Sequence, residues 1–178
     1  MAEEKKAPWL DYLALTTVIF AVCATLSTFK GGGFSTRSIL YQSQSSDQWS
    51  YFQAKSIRES LYKVQQENLK LEISTLGKTS SPDMVKKYED ALVIAEQNLE
   101  KYGKEKHDIE NQAKILETKR DDAQRHSQPF GIAVIFFQIA ILLSSIAGLF
   151  KRKSIWYLAI PIGCVGLFYF SDGFLVFL

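Results

Sequence analysis

The chain has 178 residues, of which 47% are hydrophobic and 22% are charged, and its formal net charge is +2 at pH 7. This length suits one domain with anchors, and so small a net charge without a basic stripe argues against nucleic-acid binding. The charged residues crowd the middle of the chain and almost vanish from its ends, which predicts membrane segments on both sides of a polar region.

The first apolar segment covers residues 10–29 and follows a short N-terminal stretch, residues 1–9. It contains one charge, Asp11, and its length matches the roughly 20 residues that cross a hydrocarbon core of about 30 Å. Trp9 stands at its entrance, as interfacial aromatic residues do. We predict a transmembrane helix. A cleaved signal peptide is the alternative, although the run is long and residues 30–33 form a poor cleavage site.

The region after the first span predicts a connector and then a helix. Residues 30–46 are rich in Gly, Ser and Gln, which is typical of a flexible connector. Ser46 or Asp47 is suited to cap the following helix, and Gly77 predicts where that helix ends. We expect one apolar stripe of this helix to face a second helix. The stripe consists of Ile57, Leu61, Val64, Asn68 and Leu71.

A seven-residue rhythm from Val85 to Ala123 predicts the second helix of the middle region. Steps of three and four select twelve seam positions, and ten of these are apolar or aromatic, which is typical of a coiled coil. Because a short turn near 77–82 separates the two helices, we predict an antiparallel coiled-coil hairpin over residues 47–128. The seam residues are Val85, Tyr88, Leu92, Ala95, Leu99, Tyr102, Lys106, Ile109, Ala113, Leu116, Arg120 and Ala123.

Two further apolar segments complete an all-α integral membrane protein with three transmembrane helices. Residues 129–150 predict the second span, starting at Pro129, and residues 155–178 predict the third span with the C-terminus. The basic turn at 151–154 and the N-terminal lysines lie on one side of the membrane if all three spans are real. The positive-inside rule then makes that side cytoplasmic and the hairpin extracytoplasmic.

Three candidate residues for oligomer contacts or a pore lie in the polar middle. Lys106 and Arg120 interrupt the seam, and we expect them to specify register or oligomer state. Binding of an anion in a central lumen is the alternative. Trp49 belongs to an interfacial aromatic belt or contacts the base of the other helical arm.

Two more candidates lie in the apolar C-terminal region. Gln138 occurs midway through the second span, where such residues usually bond between helices. Asp172 stands between Ser171 and Gly173, so we predict a turn there. The alternative, that Asp172 pairs with Lys30 or lines an ion path, stays open because intramembrane acids are often functional.

The sequence lacks the patterns expected of an enzyme or a metal site. Cys23 and Cys164 lie in apolar segments, and the chain has no CxxC motif. His107 and His126 are the only histidines and have no ligand spacing. There is no glycine-rich phosphate loop or HExxH motif. We therefore predict no catalytic residue, no cofactor and no metal.

Three segments carry a resemblance to a known family. They are the stretch from Trp9 to Thr17 that continues through Thr25–Gly33, the stretch Ser46–Ser56, and the run Gln138–Ser145. Together these segments resemble domain-of-unknown-function family 4337, and the likeness extends over essentially the whole chain. The resemblance implies a bacterial membrane protein and brings no activity with it.

From these features we expect a non-enzymatic coiled-coil protein anchored in the bacterial cytoplasmic (inner) membrane. It forms a homo-oligomeric envelope assembly or scaffold, with the lipid bilayer as its other partner and no nucleic acid or small-molecule substrate. The alternative is an oligomeric channel or transport component whose pore is lined by Thr16, Thr17, Gln138 or Asp172. A third possibility is a sensor or adaptor with a partner that docks on the hairpin.

Overall fold

The computed structural model describes residues 8–76 and 81–176. The fold consists of three α-helices: α1 spans Trp9–Thr75, α2 spans Pro82–Leu149 and α3 spans Lys153–Leu175. Because the described ranges contain helices and no strand, the prediction of an all-α protein is confirmed. The centre of the predicted hairpin turn, residues 77–80 with the helix stop at Gly77, lies outside the described residues.

Each of the three helices contains a stretch that is long and apolar enough to cross a membrane, by length and composition. The predicted span at 10–29 lies inside α1, and the span predicted from residue 129 lies at the C-terminal end of α2. Residues 155–175 of the span predicted at 155–178 lie inside α3. A multi-pass membrane protein is therefore consistent with the fold.

The predicted flexible connector at 30–46 is wrong, because α1 continues through it as one helix. Gly31 lies inside this helix and packs against α2. A Cβ atom on Gly31 would lie 2.8 Å from Cβ of Phe130, and the Ser127 hydroxyl donates to the Gly31 carbonyl at 3.1 Å. The missing side chain thus permits close contact between α1 and α2 instead of releasing the chain.

Two predicted helix starts also fall inside helices. Ser46 and Asp47 lie within α1, so neither caps a new helix. Pro129 lies within α2 and does not begin a separate span. A proline in a helix interior removes one backbone donor, and α2 continues through this local loss.

The turn predicted at Asp172 is likewise wrong, because α3 extends to Leu175. The left-handed residue that ends the helix is Val176, with φ of 47°, and its N–H donates to the Asp172 carbonyl at 2.7 Å. Gly173 stays helical at a position where a Cβ atom would lie 2.8 Å from the Phe130 ring. Packing against that ring therefore accounts for the glycine that the sequence suggested as a turn residue.

The chain divides into two compact units. One unit, here called the span unit, is formed by the chain up to Leu40 and from Lys119 onward. The other, here called the arm unit, is formed by Tyr41–Thr118.

The span unit is held together by aromatic rings of α1 and α2 that pack on glycines of α3. At each of three glycines an added Cβ atom would come within 3.0 Å of a phenylalanine ring carbon. The three pairs are Gly163 with Phe20, Gly166 with Phe137, and Gly173 with Phe130. Phe20 and Phe137 also belong to the buried core, together with Ala133 and Ala140. Small residues in α3 thus let the helices approach closely, as small residues do in membrane helix bundles.

In the arm unit, residues further along α1 generally contact residues earlier in α2. The contacting pairs are Ser45 with Ala113, Lys55 with Glu105, Glu59 with Lys106, Tyr62 with Tyr102, and Gln66 with Glu96. All twelve predicted seam residues of α2 are buried or half-buried.

The stripe of α1 that we expected to face α2 lies instead on its outer side. Ile57, Leu61, Val64 and Leu71 have exposed fractions of 63%, 64%, 55% and 64%. The face of α1 that contacts α2 is largely polar, because it contains Lys55, Glu59 and Gln66 between the aromatic residues. The prediction for this stripe is therefore wrong.

Candidate functional site

A buried lysine lies at the centre of the contact between α1 and α2 in the arm unit. Lys55 is 8% exposed, and its Nζ donates to Oε2 of Glu105 at 2.5 Å. The same Nζ lies 5.1 Å from the ring centroids of both Tyr51 and Tyr102. Two aromatic faces and one carboxylate therefore enclose this cation, an arrangement that combines an ion pair with cation–π attraction.

A second ion pair, which is half-buried, lies beside the first: Glu59 is one turn after Lys55 in α1, and its partner in α2, the residue after Glu105, is the predicted candidate Lys106. Its Nζ donates to Oε2 of Glu59 at 2.5 Å and lies 5.6 Å from the Phe52 ring centroid. Phe52 also meets Trp49 edge to face, at 5.4 Å between centroids. Trp49 Nε1 in turn donates to Oε1 of Glu117 at 2.8 Å. The structure thus brings two predicted candidates, Trp49 and Lys106, to one phenylalanine, Phe52.

The enclosed pair of Lys55 and Glu105 favours the charged form of both side chains. The hydrogen bond to Glu105 is the largest cause that raises the pKa of Lys55, and a bond to Tyr51 raises it further. The hydrogen bond from Lys55 is the largest cause that lowers the pKa of Glu105. Both shifts have the sign of an ion pair that stabilises the folded arm unit.

The stabilisation from this pair should depend on pH at both extremes. Since the folded pKa of Glu105 is lowered, its contribution is present above the ordinary glutamate pKa of 4.5 and fades as the pH falls through the folded value. Since the folded pKa of Lys55 is raised, its contribution is complete below 10.5 and fades as the pH rises through the folded value. We expect the thermal midpoint of the arm unit to be flat between these limits and to fall outside them.

Replacement of Glu105 tests the pair directly. We expect Glu105→Gln to lower the thermal midpoint, measured by circular dichroism in detergent, because it leaves the buried Lys55 cation without its carboxylate. The matched control is Glu100→Gln, which removes an exposed ion pair to Lys104 at 2.6 Å in the same helix. Equal losses in the two variants would show that enclosure of Lys55 contributes nothing. The pH dependence at the acid end should also shrink more in Glu105→Gln than in Glu100→Gln, because the hydrogen bond from Lys104 that lowers the pKa of Glu100 is exposed to solvent.

The two ion pairs between α1 and α2 were not predicted from the sequence, although the spacing of the α1 residues indicated this face. Phe52, Lys55, Glu59, Tyr62 and Gln66 follow steps of three and four, the same rhythm as the seam of α2. Apolar periodicity gives no weight to a stripe with charged members. Only the partner helix shows that Lys55 and Glu59 face Glu105 and Lys106.

The candidates of the span unit occupy different environments. Asp172 is 2% exposed within α3, whereas Gln138 lies on an exposed face of α2. Arg120 is half-buried, and its guanidinium contacts the neighbouring Asp121 carboxylate at 2.7 Å. Next to Asp172 in the chain, the Gly173 carbonyl lies 2.9 Å from Nδ1 of His126.

Two threonines that the alternative hypothesis of a channel places in a pore are engaged in hydrogen bonds inside the span unit. Thr16 and Thr17 both donate to the Leu13 carbonyl, at 3.0 Å and 2.7 Å. Thr16 also accepts a hydrogen bond from Trp156 Nε1 at 3.1 Å. Of the four residues named for a pore, Gln138 is the one with an exposed side chain.

Potential metal ligands do not cluster in the described part of the chain. Across residues 8–76 and 81–176, no group of three or more His, Cys, Asp or Glu side chains could hold a metal ion. Both cysteines are free thiols, with Cys23 half-buried and Cys164 exposed.

Comparison with known proteins gives one match. A family model described as Domain of unknown function (DUF4337) matches residues 9–176, which is nearly the whole chain. No curated protein and no solved structure matches the chain.

Proposed function

We propose that this chain, which belongs to the DUF4337 family, is a non-enzymatic, membrane-anchored coiled-coil protein that forms a homo-oligomeric envelope scaffold. The observation that carries the proposal is the pairing of charged side chains between α1 and α2 in the arm unit. Lys55 is bound by Glu105, and Lys106 is bound by Glu59. Side chains that could act on a substrate are thereby used to hold two helices together.

The arm unit supports an antiparallel coiled-coil hairpin as the form of this scaffold. Its contacts pair rising residue numbers in α1 with generally falling numbers in α2, from Ser45 with Ala113 to Gln66 with Glu96. The seam of α2 contains buried Ala95, Ile109 and Ala113 at heptad positions. A hairpin of two helices buries little apolar surface, so association with further copies is the expected way to stabilise it.

We further propose that the protein resides in the bacterial cytoplasmic membrane with its arm unit outside the cytoplasm. Three apolar helices support multi-pass insertion. The basic residues Lys5, Lys6 and Lys151–Lys153 lie in short segments, where the positive-inside rule has most force. One predicted span lies between Lys6 and the arm unit, so the arm unit is on the opposite side of the membrane from these lysines, which supports the extracytoplasmic placement.

One set of experiments tests both association and sidedness. In a Cys23→Ala, Cys164→Ala background, Gln97→Cys places one thiol on an exposed position of the arm unit. We expect a membrane-impermeant maleimide to label this thiol in intact spheroplasts, and light scattering of the purified protein in detergent to give a multiple of 20.2 kDa. Labelling only after permeabilisation would overturn the sidedness, and a monomeric mass would overturn the homo-oligomer.

A channel is the alternative role, and its support is narrower. Gln138 is exposed in the middle of an apolar segment, so a pore between copies could be lined by it. Thr16 and Thr17 are taken up by bonds within the span unit, which favours the scaffold. Ion or solute flux in proteoliposomes separates the two roles. Flux that the Gln138→Leu variant abolishes would favour the channel, and no flux above empty liposomes is the result expected of a scaffold.

A further inference from the structure

We infer that the outer face of α1 in the arm unit is a second coiled-coil seam, which pairs in parallel with the same face of a second copy of this chain. This inference rests on the proposed homo-oligomer and names the surface that forms it. The seam residues are Ala54, Ile57, Leu61, Val64, Asn68, Leu71 and Thr75. All seven are exposed.

The seven residues have the spacing of a complete heptad seam. Successive steps are three, four, three, four, three and four residues, so Ala54, Leu61, Asn68 and Thr75 take the a positions. Ile57, Val64 and Leu71 take the d positions. The face of α1 that contacts α2 lies two residues earlier in each heptad, at Phe52 and Glu59. A shift of two residues is about 200° around a helix, so the second seam faces away from α2.

Four exposed apolar side chains of this seam, Ile57, Leu61, Val64 and Leu71, lie in one row that only Asn68 interrupts. From Ile57 to Leu71 the row extends about 21 Å at 1.5 Å per residue. Ser56 and Ser60 border a shallow groove formed with Ile57, Leu61 and Val64. Charged residues such as Lys63 and Glu67 occur on the same helix, so this part of α1 is expected to face water rather than lipid. A row of this kind in water marks an interaction surface.

Asn68 is the residue that points to a second copy as the occupant. An asparagine at an a position is costly against an apolar neighbour, but it can hydrogen-bond to its own equivalent across a two-stranded parallel coiled coil. A two-fold axis places each seam residue opposite itself, so one stripe is sufficient to form both sides of the interface. Copies that insert with the same sidedness also send α1 out of the bilayer in the same direction.

The charges beside the seam make the orientation testable. In a parallel pair, the g position Glu67 lies next to the e position Glu72 of the second copy. Two such contacts between like charges weaken the wild-type pair. In an antiparallel pair, g positions face g positions, and this contact between Glu67 and Glu72 does not form. Reversing the charge of Glu67 should therefore strengthen a parallel dimer specifically.

Three substitutions test the seam in the full-length protein in detergent. Leu61→Lys should raise the dissociation constant of the dimer at least tenfold, measured by analytical ultracentrifugation. The matched control Val93→Lys replaces an apolar residue of α2 that is 51% exposed and outside the seam, and it should leave the constant unchanged. Glu67→Lys should lower the constant several-fold, with the gain removed at high salt.

Disulfide formation gives an independent readout of the register. In the Cys23→Ala, Cys164→Ala background, Asn68→Cys should form an intermolecular disulfide under mild oxidation, because equivalent a positions face each other. Lys63→Cys, at an exposed c position, should not.

The outcomes separate this inference from the proposed function. An oligomer that survives Leu61→Lys and shows no Asn68→Cys disulfide would overturn the seam and leave the homo-oligomer intact. Weaker association of Glu67→Lys would overturn the parallel pairing. A monomeric wild-type protein would overturn both the seam and the homo-oligomer. That outcome includes the case in which the second seam binds a different protein.

Discussion

Gly163→Val should lower the stability of the span unit by about 3 kcal/mol, the upper end of the cost of overpacking a closely packed core. The reason is the position of the Phe20 ring. A Cβ atom on Gly163 would overlap three carbon atoms of that ring, and Phe20 itself is a buried core residue. Either the ring must leave its rotamer or α3 must move away from α1. Thermal unfolding in detergent, followed by circular dichroism, measures the loss.

Gly33→Val is the matched control for this prediction. Gly33 is also a helical glycine in the span unit, but nothing lies within 4 Å of a Cβ atom built on it. This substitution should leave the thermal midpoint within the spread of the wild type. Phe20→Ala should also recover part of the loss in Gly163→Val, because it removes the colliding ring. Equal losses at Gly163 and Gly33 would show that the effect belongs to helix propensity and not to the ring.

Phe130→Ala is expected to have the second large effect, a loss of about 2–3 kcal/mol. Phe130 is fully buried, and its ring meets Phe170 at 6.0 Å and Phe174 at 5.0 Å between centroids. Truncation leaves a cavity between α2 and α3, with typical costs of about 3–5 kcal/mol for phenylalanine in soluble cores. If the span unit resides in a bilayer as proposed, the cost is smaller, because lipid tails are about as apolar as the core and mainly the packing contribution is lost.

The control for Phe130→Ala is Phe29→Ala. Phe29 lies on α1 of the same unit and is 76% exposed, so its truncation leaves no internal cavity. Its thermal midpoint in detergent should change little. If Phe29→Ala destabilised the protein as much as Phe130→Ala, the aromatic cluster around Phe130 would not be the source of stability.

In the arm unit, the contact face of α2 could be predicted from the sequence, and the contact face of α1 could not. All twelve seam positions of α2 are buried or half-buried, because heptad spacing fixes one face of a helix whatever covers it. In α1 the apolar stripe was assigned to the wrong contact. Lys55 and Glu59 face inward because they pair with opposite charges on α2. These partners are 50 and 47 residues away in sequence, so no local pattern could predict them.

Glycines misled the sequence reading in a second way. Gly31 and Gly173 belong by composition to a connector and a turn, yet both lie in helices against the ring of Phe130. The conformational freedom of a glycine is local, whereas the space that its missing side chain leaves is filled by a residue distant in sequence. For the same reason the environment of Asp172, buried in α3, could not be predicted from its Ser-Asp-Gly context.

The rings seated on α3 separate two events in the biogenesis of this protein. Entry into the bilayer depends on hydropathy, which all three helices possess on their own. Correct assembly of the helices depends on shape, because Phe20 comes from α1 and Phe130 and Phe137 come from α2, and each of these rings packs on a glycine of α3, which is synthesised after both. A ribosome that stopped before α3 would release a chain that keeps the contact of Phe130 with Gly31 but lacks the three glycines on which Phe20, Phe130 and Phe137 pack.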